Sequence, residues 1–295
     1  MSKPVIAVIG IPGKWSTEVL ADRLEAKTGT RHVIDMADVT FDSSAGTLTA
    51  NGLDLTSIDG IVVKKISQQY SPATLDRLEL LRVAEAQGVR VFSPASSMLR
   101  LIDRLSCTVT LRNHDIPMPD TCVTESIDHA IAFIHQSEAV VLKPLFSTKA
   151  RGMTVLSADH GDDNLKQALD TFQKDNPVLY IQRKIALSGR DMGLMFLGGN
   201  YLGAYARVAQ NDSWNTTIHS GGKYQNVVPT DDIIGMAHEA QSLFDMDFTT
   251  VDVAETDNGA ICFEVSAFGG FKGALEGTGI DVAELYADHV LRAIS

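Results

Sequence analysis

The sequence predicts an α/β fold that begins with a parallel β-sheet and becomes α+β in its C-terminal part. Short apolar runs alternate with segments of helical spacing over residues 1–94, which is typical of a parallel sheet covered by helices. Later strands are joined by tight, glycine-containing turns, which indicates antiparallel hairpins. The length predicts two domains, or three small ones that share a cleft.

The first unit alternates strands with helices. Ser16 is expected to cap the first helix, with Glu18 favourably placed in its first turn. The dipeptide Asn51-Gly52 predicts a hairpin, and Pro94 closes the unit. Strands are predicted at 5–9, 32–36, 61–66 and 89–92, and helices at 16–27 and 75–87.

After the first unit, one helix is predicted over 96–114. A compact unit follows, with strands at 139–144, 153–156 and 178–182 and helices at 127–135 and 162–174. The last part pairs 192–197 with 201–208 and 248–254 with 260–265, and adds helices at 232–244 and 282–293.

The composition is that of a globular protein and argues against several classes of function. The formal net charge of −12 disfavours a nucleic-acid partner, because such a surface needs a basic excess. The three cysteines are odd in number and contain no CxxC, so they do not form a disulfide framework. The first apolar run is too short for a signal peptide or membrane span, and we expect a cytoplasmic protein with no membrane partner.

The turn from Gly10 to Ser16 resembles a phosphate-binding P-loop, but its spacing is wrong. A P-loop has four residues between its glycines and a Ser or Thr directly after the lysine. Here two residues separate Gly10 from Gly13, and Trp15 separates Lys14 from Ser16. A strand-to-helix turn, which could line a substrate site, fits the pattern better.

A strand ending in Lys143-Pro144 is the first strong candidate for a site. The lysine would lie at the strand end and face a cleft. The loop that follows, up to Gly152, is small, polar and cationic, and its hydroxyls and amides could donate to phosphate oxygens. Taken alone, the same pattern also fits a basic surface hairpin.

Two carboxylates inside apolar strands form a second candidate. Asp252 and Glu264 lie in strands joined by a tight turn, which allows both side chains to share one face of the sheet. Ionised carboxylates in such strands are costly unless they are paired or coordinated. Together with phosphate oxygens they would suit Mg²⁺, although two edge carboxylates facing water remain an alternative.

Arg207 ends a strand and could clamp a transferring phosphoryl group. The glycines at 221 and 222 would allow a ligand to approach the backbone closely. A surface arginine beside a flexible loop is the alternative reading of this segment.

The order of these segments resembles the ATP-grasp superfamily, and most closely its RimK-like branch of carboxylate–amine (glutamate) ligases. It also resembles the ATP-grasp proteins of the "GAK system". The resemblance covers about residues 95–292, and residues 264–281 match the closing segment of the family. It implies an ATP-grasp fold, in which 1–94 is the preceding (pre-ATP-grasp) domain, 95–178 carries the phosphate loop and 179–295 carries the metal ligands.

The resemblance also implies roles for individual residues. Arg104 and Lys143 would approach the phosphates, Asp191 would lie on the ribose side, and Arg207 would act with Lys143 in catalysis. The metal ligands would be Asp252, Glu264 and Ser266. The phosphate loop would contribute Ser147, Thr148, Lys149 and Gly152, and the adenine hinge Gln182, Arg183, Lys184 and Ile185.

The chain departs from the family pattern at several of these positions. Ser266 stands where relatives have a metal-binding Asn, and a serine hydroxyl is the weaker ligand. The segment before Gly152 has fewer glycines, Arg183 replaces a common Glu, and Thr217 replaces an Asn. These departures leave an ATP-binding scaffold or regulatory protein with little ligase activity as the alternative function.

The function that the resemblance implies is ATP-dependent ligation of a carboxylate to an amine through an acyl phosphate. The cofactors would be ATP and Mg²⁺, with Mn²⁺ as an alternative ion. The substrates would be a small-molecule or peptide carboxylate and an amine such as glutamate, and a homo-oligomer is expected. Candidate contacts for an anionic substrate are Lys14, Lys64, Lys65, His219 and Lys272, each of which could equally be a solvated surface residue.

Overall fold

The structure is a computed structural model that describes residues 3–147, 150–209, 216 and 222–295. A four-stranded parallel sheet in the order β2-β1-β6-β7 opens the chain, as the sequence predicted, and a small antiparallel sheet, β3-β4-β5, lies beside it. The strands are β1 (Ile6–Ile9), β2 (His32–Ile34), β3 (Thr40–Asp42), β4 (Thr47–Ala50), β5 (Leu53–Asp54), β6 (Gly60–Val63) and β7 (Arg90–Phe92).

The first two helices are α1 (Trp15–Thr28) and α2 (Pro72–Ala86). The predicted cap of α1 is wrong, because Ser16 lies inside the helix and Lys14 occupies the cap position without a side-chain hydrogen bond. Instead, the Glu18 carboxylate accepts a hydrogen bond of 2.5 Å from the amide of Gly13. An anion from the first turn of α1 therefore satisfies an amide of the glycine turn.

The single helix predicted over 96–114 is two helices, α3 (Ala95–Ile102) and α4 (Arg104–Arg112). Asp103 has an extended backbone, and its carboxylate accepts from the amide of Leu105 at 3.0 Å. Asp103 thus caps the N-terminus of a new helix, although the helical spacing of the sequence continues through this position without interruption. The break places Arg104 at the first position of α4.

A second sheet follows in the order β10-β9-β11-β8, with every neighbouring pair antiparallel. Its strands are β8 (Thr121–Thr124), β9 (Ala139–Leu142), β10 (Thr154–Ser157) and β11 (Leu179–Arg183), and it packs against α5 (Ile127–Ser137) and α6 (Asp162–Gln173). The sequence missed β8, because all four of its residues are half-buried and show no alternation.

The third sheet has the order β14-β13-β12-β15-β16. Its strands are β12 (Arg190–Leu197), β13 (Asn200–Val208), β14 (Lys223–Val227), β15 (Phe248–Thr256) and β16 (Gly259–Ser266). One helix, α7 (Asp231–Ser242), connects β14 to β15, and two helices, α8 (Phe271–Thr278) and α9 (Val282–Ile294), follow β16. The sequence missed β14, a polar edge strand, and α8, whose glycines disfavour a helix. Gly273 is required there because a Cβ atom would lie 2.6 Å from the Tyr205 ring.

The N-terminal sheet is held against the C-terminal part by polar contacts as well as by a shared apolar core. Asp247 accepts from the amide of Ser93 at 2.5 Å and contacts His289 at 2.9 Å. Lys27 of α1 forms ion pairs with two acids of α9, at 2.6 and 2.8 Å. Among the described helices, none is long and apolar enough to cross a membrane.

Candidate active site

A cavity of about 400 Å³ lies between the second and third sheets and is closed on one side by residues that follow β6. It contains most of the residues that the sequence singled out. Gly152 is not among its described lining residues, and Thr148, Lys149 and His219 lie outside the described residues. The predicted residues that line it are Arg104, Lys143, Ser147, Gln182, Arg183, Lys184, Ile185, Asp191, Arg207, Asp252, Glu264 and Ser266.

The cavity is basic in a chain whose net charge is −12. Among its described lining residues, three are acidic, namely Asp191, Asp252 and Glu264. Six are basic, namely Lys65, Arg104, Lys143, Arg183, Lys184 and Arg207. A concave site with this excess of positive charge attracts anions, and the overall acidity of the chain does not predict it.

The two acids of the last hairpin lie side by side, as the sequence predicted. Asp252 of β15 and Glu264 of β16 are register partners, next to a bulge between Asp252 and Val253. Burial raises the pKa of Asp252 above its usual range, although the charge of Arg207 acts in the opposite direction. The Asp252 carboxylate is therefore costly to ionise in the absence of a further cation.

Each of these acids is paired with an arginine. Arg104 donates from Nη1 to Glu264 Oε2 at 3.0 Å and from Nε to the carbonyl oxygen of Pro144 at 3.2 Å. Its Nη2 also lies 3.4 Å from the Ser147 hydroxyl. Arg207 Nη2 lies 3.0 Å from Asp252 Oδ2. The arginines and carboxylates that the resemblance assigned to phosphate and metal thus contact one another directly.

Arg207 is held in place by a second carboxylate. It lies opposite Asp191 in the β12–β13 register and donates from Nε to both Asp191 oxygens at 3.1 Å, with a further bond from Nη2. The hydroxyl of Thr216 also donates to Asp191, at 2.5 Å. Burial opposes the charged form, but Asp252 and Asp191 hold the pKa of Arg207 above its usual range. Asp191 positions Arg207, and its contact with a ribose stays a prediction.

Lys143 follows β9 and points into the cavity. Its Nζ donates to Gln182 Oε1 at 2.5 Å, and its amide donates to the carbonyl oxygen of Tyr180 at 3.0 Å. Burial lowers the pKa of Lys143 to about 7; the charge of Arg104 acts in the same direction, whereas Glu264 opposes it. An anion bound beside Lys143 would favour its charged form.

The 182–185 segment lies at the edge of the cavity, and its backbone is already partly engaged. The amide of Arg183 donates to Asp120 at 2.8 Å, and the amide of Lys184 donates to Ala139 at 2.9 Å. The Gln182 side chain donates to the Thr121 hydroxyl at 3.1 Å. The adenine contacts of this segment stay a prediction, and through the backbone they would have to use groups other than the Arg183 and Lys184 amides.

The lysines proposed as substrate contacts do not converge. Of the four that the structure describes, Lys65 alone lines the cavity. Lys64 is buried and donates to the carbonyl oxygen of Gly269 at 2.7 Å. Lys14 is exposed at the start of α1, and Lys272 is exposed and pairs with Glu276 at 3.4 Å.

The predicted site residues include no aromatic side chain, but five described aromatic residues line the cavity, namely Tyr70, Tyr205, Tyr224, Phe263 and Phe268. Tyr70 lies in a polar stretch without periodicity, and Phe268 lies in the loop after β16. Tyr70 carries no signal that could have identified it from the sequence, whereas Phe268 lies within residues 264–281, which match the closing segment of the family.

The donors fit a hard divalent cation that also takes ligands from its substrate. Asp252 and Glu264 supply adjacent carboxylate oxygens, and Ser266 supplies a hydroxyl at the same wall. No group of three or more His, Cys, Asp or Glu side chains that could hold a metal occurs within the described ranges. The two carboxylates and the hydroxyl suit Mg²⁺, which keeps several waters and takes its remaining ligands from phosphate oxygens.

Several solved structures share this fold over nearly the whole chain. The ATP-grasp ligase PsnB, complexed with a minimal precursor, Mg and ADP, matches with a TM-score of 0.75 at 16% identity, covering 98% of this chain and 97% of that one. The D-cycloserine synthetase DcsG matches with a TM-score of 0.76 at 14% identity, covering 98% and 99%. The architecture is therefore an ATP-grasp fold.

A family model described as a RimK-like ATP-grasp domain matches residues 102–290, and the chain belongs to that family. The tetrahydromethanopterin:alpha-L-glutamate ligase of Methanosarcina acetivorans is 23% identical, covering 98% of this chain and 99% of its own. A probable alpha-L-glutamate ligase of Pectobacterium carotovorum is 24% identical, covering 97% and 94%.

Proposed function

We propose that this protein is an ATP-dependent carboxylate–amine ligase that forms an amide and releases ADP and phosphate. The observation that carries the proposal is the convergence of Lys143, Arg104 and Arg207 with Asp252 and Glu264 on one cavity. Three cations and two adjacent carboxylates suit a bound Mg-nucleotide better than a neutral ligand. Membership of a family of ATP-grasp ligases supports the same function.

The nucleotide would lie along the cavity with its adenine at 182–185 and its phosphates towards Arg104 and Lys143. The Ser147 hydroxyl, which lies beside Arg104, would donate to a phosphate oxygen. The neighbour that holds ADP and Mg supports this use of the cavity. ATP is the proposed phosphoryl donor, and the predicted contacts of Thr148, Lys149 and Gly152 remain part of this proposal.

Asp252, Glu264 and Ser266 would hold Mg²⁺, with Mn²⁺ as the alternative ion. When bound, the ion supplies positive charge that stabilises the phosphoryl oxygens. Arg104 and Arg207 would then exchange part of their contact with the carboxylates for contact with phosphate oxygens, so that the total charge of the site stays balanced.

The reaction needs charge stabilisation and alignment more than a protein nucleophile. An oxygen of the substrate carboxylate attacks the γ-phosphorus, the bond to the bridging oxygen breaks, and ADP leaves. An amine then attacks the carbonyl carbon of the acyl phosphate, phosphate leaves, and the nitrogen loses a proton. Arg207, oriented by Asp191, would stabilise the phosphoryl oxygens in the first step and the leaving phosphate in the second.

The substrate class follows from the cavity and from the relatives. Two of the curated relatives are named as alpha-L-glutamate ligases, and PsnB was solved with a precursor peptide. We infer that this chain joins a small-molecule or peptide carboxylate to an amine, with glutamate as the first candidate. A basic cavity fits acidic substrates of this kind.

The test is ADP release from ATP and Mg²⁺ with a matrix of carboxylates and amines that includes L-glutamate, combined with mass spectrometry of the product. We expect ADP and amide in equal amounts for at least one pair. Binding of Mg-AMPPNP without ADP release for every pair would contradict the proposal and favour the nucleotide-binding scaffold. The comparison between ligase and scaffold is informative because Ser266 stands where relatives have a metal-binding Asn.

A further inference from the structure

A second cavity, of about 440 Å³, lies at the carboxyl edge of the N-terminal parallel sheet. Its described walls include residues that follow three strands of that sheet, namely Ile11 after β1, Asp35 after β2 and Ser67 after β6. The first turns of α2 complete it with Arg77. None of its described lining residues lines the cavity between the second and third sheets, so the two cavities are separate sites.

The order of the strands explains why a crevice forms at this edge. The central strands β1 and β6 are neighbours, and the chain leaves them in opposite directions, to β2 on one side and to β7 on the other. The helices that follow them cover opposite faces, because α1 packs with Ile6 and Val8 whereas α2 packs with Ala7 and Ile9. Open α/β sheets bind ligands in the crevice where the connections diverge in this way. We call this space the switch-point cavity.

The glycine turn after β1 forms part of the wall but does not offer its amides to a phosphate. The amide of Gly13 donates to the Glu18 carboxylate at 2.5 Å, and the amide of Ile11 donates to the Thr17 hydroxyl at 3.3 Å. Side chains of α1 therefore occupy the donors that a phosphate-binding loop would present, and Glu18 adds a negative charge. A nucleotide does not suit this edge of the sheet.

The wall formed by the segment between β6 and α2 is fixed by its own hydrogen bonds. The Ser67 hydroxyl donates to the carbonyl oxygen of Gln69 at 2.7 Å and lies 3.0 Å from the Thr74 hydroxyl. The amide of Ser71 donates to Thr74 Oγ1, also at 3.0 Å. Ser67 and Thr74 are buried. The wall is therefore formed before any ligand binds, which reduces the entropic cost of binding.

Two opposite charges lie next to each other in the switch-point cavity. Arg77 Nη1 is 4.0 Å from Asp35 Oδ1, and the two side chains are 26% and 25% exposed. Arg77 Nη1 also donates to the carbonyl oxygen of Ile66 at 3.2 Å, and Asp35 Oδ1 accepts from the amide of Ala37 at 2.9 Å. A separation of 4.0 Å is longer than a hydrogen bond. A guanidinium has five donors and a carboxylate about four acceptor positions, so both groups can also bind a ligand.

We propose that the switch-point cavity is a binding site for a free α-amino acid, with the carboxylate on Arg77 and the ammonium on Asp35. An α-amino acid carries both charges on one carbon, and so it matches two opposite charges that are themselves adjacent. The positive end of α2, near Ser71, favours the carboxylate on the same side as Arg77. The cavity volume lies within the range of small-molecule sites. The inference goes beyond the proposed ligase function, because it concerns a second ligand in a separate cavity.

The test is calorimetry without nucleotide, in which each of the twenty L-amino acids is titrated into the wild-type protein. We expect at least one to bind. Its decarboxylated amine and its deaminated acid should each bind about tenfold more weakly, because each lacks one charge-assisted contact.

The variants Arg77→Gln and Asp35→Asn should each weaken binding of that amino acid by about tenfold. Asp35→Asn keeps an acceptor for the amide of Ala37, so it tests the site even if Arg77→Gln does not fold. The matched control is Arg82→Gln, which changes an exposed arginine of the same helix that pairs with Glu79, and it should bind like the wild-type protein. Arg207→Lys, in the other cavity, should also keep the wild-type affinity.

Four results would overturn the amino-acid site. No amino acid would bind, the deaminated acid or the decarboxylated amine would bind as tightly as the amino acid, or Arg77→Gln or Asp35→Asn would keep the wild-type affinity. In the fourth, Arg207→Lys would lose the affinity, which would assign the amino acid to the cavity between the second and third sheets. Because these titrations contain no ATP, a protein that releases no ADP would contradict the proposed function and leave the outcome at the switch-point cavity unaffected.

Discussion

Arg104 joins the start of α4 to the last hairpin, because its guanidinium donates to Glu264 Oε2 at 3.0 Å. The Arg104 side chain is 10% exposed, whereas that of Glu264 is 41% exposed. The arginine is therefore fixed by its surroundings, while the carboxylate keeps a free side towards the cavity. A cation could bind Glu264 on that side without removing Arg104 first.

Glu264→Gln should abolish most of the Mg²⁺-dependent ADP formation. The amide keeps the shape of the side chain and can still accept from Arg104, but it loses the charge that a hard cation needs. We expect a fall of about 100-fold or more in kcat/KM, measured over a range of Mg²⁺ concentrations. Glu255→Gln, on the same hairpin and paired with the exposed Arg190, is the control. Equal loss in both variants would contradict a special role for Glu264.

Arg207→Lys should lower kcat while leaving nucleotide binding nearly intact. Lysine keeps the positive charge but cannot reproduce the forked contact with Asp191 and Asp252. If Arg207 stabilises the transferring phosphoryl group, kcat should fall by about 1000-fold. The dissociation constant of Mg-AMPPNP, measured by calorimetry, should stay within about threefold of the wild-type value.

The conservative change Arg190→Lys, one strand position before Asp191, provides the comparison for Arg207→Lys. Its arginine forms an exposed ion pair with Glu255, and such pairs contribute little. A normal rate of amide formation by Arg207→Lys would contradict the proposed role of Arg207.

The buried Lys64 should make folding stability depend on pH. Burial lowers the pKa of Lys64 from 10.5 to about 7, and the charge of Lys65 adds to the shift. Between these two values the unfolded chain binds a proton that the folded chain does not, so this group makes stability rise with pH across the window. Relative to Lys64→Met, the wild-type protein should gain about 1 kcal/mol per pH unit, measured by urea unfolding.

Lys272→Met should follow the wild-type protein at every pH, because its ammonium is exposed. The comparison between wild type and Lys64→Met cancels the contribution of Lys143, which both proteins contain. If the stability difference between the wild-type protein and Lys64→Met does not change from about pH 7 to 10, Lys64 keeps an ordinary pKa in the folded protein.

The sequence predicted the elements whose patterns are local. The parallel strands of the first sheet are short apolar runs, and the hairpins are marked by glycine turns, so both were identified. The edge strand β14 was missed because most of its residues are polar and it is held by pairing with β13, and the helix α8 was missed because it contains Gly273 and Gly277, which allow close packing on Tyr205. Tertiary packing overrides propensity in both cases.

The candidate site was predictable as a set of residues but not as a set of contacts. The order of segments brought Lys143, Asp252 and Glu264 together, and the cavity contains all three. Their partners depend on contacts between distant parts of the chain, such as the pairing of Arg104 with Glu264 across 160 residues. The Arg207–Asp191 contact depends on a strand register that a bulge between Met195 and Phe196 shifts.

The Asp103 cap should be necessary for the break between α3 and α4. Its carboxylate accepts from the amide of Leu105 at 3.0 Å, so Asp103→Ala leaves that amide unsatisfied and should lower the free energy of unfolding by about 1 kcal/mol. Asn is an equally good cap, and Asp103→Asn should unfold close to the wild-type midpoint in urea. Because α4 begins with Arg104, the Ala variant should also bind Mg-AMPPNP more weakly than the Asn variant. If the Asn variant is destabilised as strongly as the Ala variant, the charge of Asp103 rather than its cap holds the two helices apart.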